Sequence, residues 1–198
     1  MSQIADFWFD PSCPYTWITS RWLLEAAKVR PIEPRWHLLS LAALNEDRDD
    51  DPEDDPGGYV WLPARVCAAV AATAGQEALG RFYTAFGTRV HERGEMGPRT
   101  FQDALAEAGL PESLAAAADT PNHDDAIRAS TTEGVDKVGP HIGTPVIEVG
   151  DRAYFGPVIS QIPHGEEAGR LWDGTLLVTK TPGFHELKGP PHTTPNVT

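Results

Sequence analysis

A short apolar run, Ile4 to Phe9, stops at Asp10-Pro11, and two residues later Cys13-Pro14 opens an amphipathic segment. The run has the length of a buried strand, and Asp-Pro is a turn signal. Pro14 suits the first position of a helix, where its missing N–H costs nothing. Cys13 is therefore expected at the mouth of a helix, facing unpaired amide N–H groups. Their partial positive charge favours a thiolate over a thiol. A nucleophilic sulfur is the expected consequence.

The helix is predicted to run from Pro14 to about Val29, with Pro31 marking the break. Ile32 to Leu38 reads as a second strand, and Pro34 suits an edge. A helix between two strands implies a right-handed crossover and a parallel pair. From Asn45 to Gly58 the chain is acidic and turn-rich, which fits either a solvated loop or a mobile lid beside the strand ends.

Tyr59 to about Lys137 reads as four or five short helices, broken at Gly75, Gly94-Gly97-Pro98, Gly109-Leu110-Pro111 and Thr120-Pro121. Phe82, Tyr83, Phe86 and Phe101 supply a core for this region, or wall a substrate cleft. Thr144 to Val149 and Arg152 to Phe155, joined by Gly150-Asp151, read as a β-hairpin. Pro163 to about Val178 is predicted to be the closing helix. The Pro- and Thr-rich tail from Lys188 is expected to be poorly ordered or to hold on to a neighbouring surface.

Strand, then Cys-Pro-aromatic-x, then helix resembles the active site of the thioredoxin superfamily. Asp6-Phe7-Trp8-Phe9-Asp10-Pro11 and Trp17-Ile18-Thr19-Ser20-Arg21-Trp22 narrow the resemblance to actinobacterial DsbA-like oxidoreductases typified by mycothiol-dependent nitroreductases. The likeness continues through Ser40-Leu41-Ala42, Asn45 to Asp50, Gly143-Thr144-Pro145, Phe155 to Ser160 and Gly165 to Asp173. It implies an α/β protein with a thioredoxin fold and an all-helical insertion. Residues 1–58 and 139–198 would form the thioredoxin-like part, and 59–138 the insertion. It also implies that Pro145 is a cis-proline facing Cys13, turning the Thr144 backbone towards a bound thiol. Asn45 would make a polar contact to substrate, and mycothiol would be the co-substrate.

One position departs from the family. A second cysteine is expected where this chain has Thr16. Without a resolving thiol the motif cannot close its own disulfide, which leaves monothiol chemistry. The Thr16 hydroxyl is expected to donate to the Cys13 sulfur and steady the thiolate. Pro14, Tyr15, Trp17, Asn45, Thr144 and Pro145 complete the expected contact set, with Tyr59 and Trp61 as further aromatic candidates. Cys67 lies in the apolar stretch Arg65-Val66-Cys67-Ala68-Ala69-Val70 and reads as a core thiol.

Two schemes follow. Cys13 attacks an oxidised or electrophilic small molecule, and mycothiol or another small thiol resolves the intermediate, with a mycoredoxin as a further partner. Alternatively the site activates the small thiol itself, as kappa-class glutathione transferases and related isomerases do. A non-catalytic binding module is a reading from another class.

The net charge of −13 argues against nucleic acid and anionic membranes as partners. The first residues lack a basic, apolar leader, and two distant cysteines do not make a secreted disulfide framework, so a cytoplasmic location is expected. The seven histidines show no paired ligand spacing, and no glycine-rich phosphate loop follows a strand. No tightly bound metal, flavin or nucleotide is expected, and pairing into a homodimer fits an exposed helical insertion.

Overall fold

The computed structural model describes residues 2–50 and 52–197; Met1, Asp51 of the acidic loop and Thr198 at the end of the tail lie outside the described residues. The strand β1 (Gln3–Phe9) leads into helix α1 (Pro14–Ala27), which returns the chain to β2 (Ile32–Leu38). The two strands pair in parallel, from Gln3 opposite Ile32 to Phe9 opposite Leu38. A hairpin of β3 (Val146–Val149) and β4 (Arg152–Phe155) completes a four-stranded sheet in the order β2-β1-β3-β4. β3 runs antiparallel to β1, with Val146 opposite Trp8. β2 is thus an edge, where Pro34 removes no ladder bond that the sheet needs.

β1 is central, and its sequence is apolar on both faces for that reason. Ala5, Phe7 and Phe9 enter the main core with Trp22, Leu23 and Trp172. Trp8 points the other way, into a smaller cluster with Leu39 and Val146. The closing helix α6 (Gly165–Thr179) packs on α1, where Trp22 donates its indole N–H to the Ala168 carbonyl at 3.0 Å.

Between β2 and β3 the chain is helical. A short helix, α2 (Leu41–Asn45), is capped by the Ser40 hydroxyl and was not expected from the sequence. Then come α3 (Trp61–Gly87), a π-turn at Thr88–Glu92, α4 (Thr100–Glu107), 3-10 turns at Glu112–Asp119 and Pro121–His123, and α5 (Asp124–Asp136). The expected break at Gly75 is present as a residue with φ of 79°. Two helical pieces meet at this kink, as the sequence predicts. Phe82, Tyr83 and Phe86 are buried and share a single core with the sheet. The Arg65–Asp124 pair, 2.7 Å apart, ties α3 to α5.

Candidate active site

Asp10-Pro11-Ser12 carries the chain from the end of β1 to the start of α1, and Cys13 is the residue that caps that helix. Its sulfur accepts the backbone N–H of Thr16 at 3.5 Å, while its carbonyl accepts the N–H of Trp17 at 3.0 Å. Cys13 is partly exposed, and Pro14, which follows it at the helix start, is exposed. A sulfur in this position sits where the first-turn amides are otherwise unpaired. It faces one of those amides, in a residue that is partly exposed.

The Thr16 side chain does not take the expected part. It is fully buried, and its hydroxyl is paired with the Thr144 hydroxyl across 128 residues of chain. The amide of Thr16, rather than the hydroxyl, supports the Cys13 sulfur. The reason lies in the fold. β3 runs antiparallel to β1, so the Thr144–Pro145 step that precedes it arrives beside the end of β1. That step is a cis peptide bond, as is Gly156–Pro157. The Gly156 N–H donates to the Pro145 carbonyl at 2.8 Å, and the Thr19 hydroxyl on α1 lies 2.9 Å from the Pro157 carbonyl.

Trp17 also departs from expectation. It is wholly buried and lies in the core rather than lining a cleft. The Tyr83 ring meets it edge-on, with ring centroids 5.4 Å apart, and the Arg21 guanidinium lies 4.0 Å from the centre of its ring. Gly87 is what lets α3 approach, because a methyl group there would lie 2.1 Å from the indole. Tyr15 is partly exposed at the rim. Asn45 ends α2 and donates its amide to Glu53 at 2.7 Å. It lines a cavity of about 280 Å³ with Arg48, Asp50, Glu53, Val60 and Trp61. Tyr59 is exposed, whereas Trp61 is half-buried beside Arg65 and Arg128.

Two residues not named from the sequence as site candidates, Asp10 and His91, hold the loop that leads to Cys13, and a third, Arg21, braces α1 behind it. Asp10 is fully buried; its carboxylate accepts the N–H of Ser12 at 2.6 Å and of Leu41 at 2.7 Å, joining the loop to α2. Burial nevertheless pushes its carboxyl up to about 6, overcoming those two hydrogen bonds. From the π-turn, His91 contacts the Pro11 carbonyl through Nε2 at 2.9 Å. Burial holds its imidazole below the usual histidine range, so the neutral ring donating N–H is the form that fits. Arg21, drawn down to about 10 by burial, spans Trp17 and the Thr84 hydroxyl. Asp10 was legible as a turn signal, but nothing in the sequence brings residue 91 to residue 11.

Cys67 is free and fully buried, and burial raises its thiol well above the ordinary range. Of the two cysteines only Cys13 is even partly exposed, and the loop leading to it is held by a buried acid and a histidine.

Known proteins resemble this chain in sequence and in fold. The Mycobacterium tuberculosis protein described as uncharacterized protein Rv2286c is 30% identical over 190 residues, covering 94% of this chain and 81% of that protein. Among solved structures, a 2-hydroxychromene-2-carboxylate isomerase superposes with a TM-score of 0.61 at 13% identity, over 88% of this chain and 93% of the other. The cytosolic disulfide reductase DsbM from Pseudomonas aeruginosa, solved with GSH, gives 0.58 at 16% identity, over 88% and 99%. These similarities establish the DsbA-like thioredoxin fold. Residues 12–189 match the family described as Rv2466c-like, mycothiol-dependent nitroreductase Rv2466c, and the chain belongs to that family of thiol oxidoreductases.

Proposed function

We propose that this protein is a monothiol oxidoreductase in which Cys13 is the nucleophile and a small thiol, mycothiol by family, is the co-substrate. The observation that supports it most directly is the partly exposed Cys13 at the α1 mouth, whose sulfur receives the Thr16 N–H, with a threonine and no second thiol at that position. The thiolate attacks one sulfur of a small disulfide; that S–S bond breaks, a Cys13 mixed disulfide forms, and the other half leaves as a thiolate. A second small-thiol anion then attacks the mixed disulfide, releases the Cys13 thiolate and carries away the oxidising equivalents as a new small disulfide. Thr16 has no sulfur to do this internally.

Pro14, Tyr15, Thr144 and Pro145 frame the sulfur and would orient the incoming thiol. Asn45 and the polar cavity beside α2 suit the hydroxyl-rich part of such a molecule, because amide and carboxylate groups there can bond hydroxyls. In this reading the site works in the cytoplasm on small molecules, with a mycoredoxin as one route for clearing the mixed disulfide.

The test is incubation of the reduced protein with mycothiol disulfide, followed by intact mass measurement. A single mycothiol adduct on Cys13, removed by free mycothiol and absent from Cys13→Ser, is the expected result. An unmodified protein, or an adduct that survives Cys13→Ser, would refute the covalent scheme. Full turnover by Cys13→Ser would instead favour activation of the small thiol, as in a transferase or isomerase.

A further inference from the structure

The tail does not trail away from the molecule. Past α6 the chain returns to the rim of the Cys13 site. The Tyr15 hydroxyl donates to the Thr193 carbonyl at 3.0 Å, and the rings of Tyr15 and His192 lie 5.2 Å apart. The hydroxyls of Ser160 and Thr193 are 2.6 Å apart. The Asn196 N–H donates to the Ser160 carbonyl at 2.8 Å, and Gln161 and Asn196 form a parallel β-bridge. Val197 packs against the core.

These contacts close a ring that starts and ends at Tyr15. Tyr15 is two residues beyond Cys13. The next turn of α1 brings Thr19 to Pro157, whose loop hangs from Pro145. Three residues on, Ser160 meets the tail, which leads back to Tyr15. An extended piece of polypeptide thus already lies along the Ser160–Gln161 backbone, held there by a main-chain bond, and reaches the side chain of Tyr15, two residues from Cys13. Free main-chain edges of this kind are where extended peptides bind.

We propose that the segment His192–Val197 is a specificity element: it fills the peptide-binding edge of the Cys13 site in cis, so that the site serves small disulfides and excludes polypeptide ones. The proposal rests on Cys13 being the nucleophile. Tethering gives the segment an effective concentration in the millimolar range, on the order of what a free peptide would need to displace it. A small disulfide needs only the sulfur and its immediate surroundings, so the strap leaves it room.

Two reagents separate these cases. One is the symmetric disulfide of thionitrobenzoate; the other is an extended peptide whose single cysteine is capped with thionitrobenzoate. In both, Cys13 attack breaks one S–S bond, forms another and expels the thionitrobenzoate thiolate, which is read by its absorbance. The chains compared are the wild type, Asn196→Pro in the full-length protein, and a chain ending at Gly189. Asn196→Pro removes the N–H that bonds Ser160 and touches nothing in the catalytic motif.

The wild type should react faster with the small disulfide than with the peptide. In Asn196→Pro and the shortened chain that preference should fall by about tenfold or more, through a faster peptide reaction. An unchanged preference in Asn196→Pro, with the fold intact by circular dichroism, overturns the proposal while leaving the Cys13 chemistry in place. No thionitrobenzoate release from the wild type beyond that of Cys13→Ser overturns both.

Discussion

The hydroxyls of Thr16 and Thr144 are bonded to each other, joining the first turn of α1 to the residue before the cis-proline. Both side chains are buried, so neither has water as a substitute partner. This pair fixes how the Pro145 loop sits over the helix that carries Cys13.

Removing one hydroxyl strands the other. Thr16→Val and Thr144→Val should each destabilise the fold by about 1–3 kcal/mol, the cost of an unsatisfied buried polar group. The double variant should lose less than the sum of the two. Urea unfolding of the four proteins gives the coupling; strict additivity would show that the bond carries no energy.

Thr16→Cys should convert the site to a dithiol. Its new thiol would lie one helical turn from the Cys13 sulfur, and mild oxidant should close a disulfide between them, with loss of free thiol. Persistence of both thiols under oxidant would show that the buried position holds the new side chain turned towards Thr144.

The two native cysteines should differ sharply in reactivity. Cys67 is fully buried, and burial raises its thiol well above the ordinary range. Iodoacetamide at neutral pH should label Cys13 in the native protein and both residues in urea, as peptide mapping will show. Native labelling of Cys67 would mean that the core opens there.

Asp10 should give the protein a particular pH dependence. Its carboxyl is raised from 3.8 to about 6 in the fold, so the native state holds that proton more tightly than the unfolded chain. The resulting stabilisation is complete below about pH 4 and is lost as pH rises through about 6, a difference of about 3 kcal/mol. Relative to Asp10→Asn, the wild type should therefore lose about that much stability across this interval. Denaturation at several pH values measures it; parallel profiles would contradict it.

Gly87 should not tolerate a side chain. A methyl group there would meet the Trp17 ring at 2.1 Å. Overpacking of this kind costs about 1–3 kcal/mol, more than the gain in helix propensity from Gly to Ala. A lowered urea midpoint for Gly87→Ala is expected, and an unchanged one would show that Trp17 can shift.

Much of this protein was determined along the chain. The β1–α1–β2 unit, the edge position of Pro34 and the hairpin after Pro145 follow from apolar runs, prolines and turn residues that act over a few neighbours. The place of Cys13 as a helix cap follows in the same way, since Pro14 fixes where α1 begins.

Tertiary structure decided what local spacing does not encode: which groups meet across the fold. It gave the Thr16 hydroxyl to Thr144 rather than to sulfur, and drew Trp17 inward through the close approach that Gly87 permits. It joined Asp10 to Leu41 and His91 to Pro11, and laid the tail across Tyr15. Each of these contacts joins residues far apart in sequence. Their partners are selected by burial and by the need to pair every buried polar group, which only the folded chain defines.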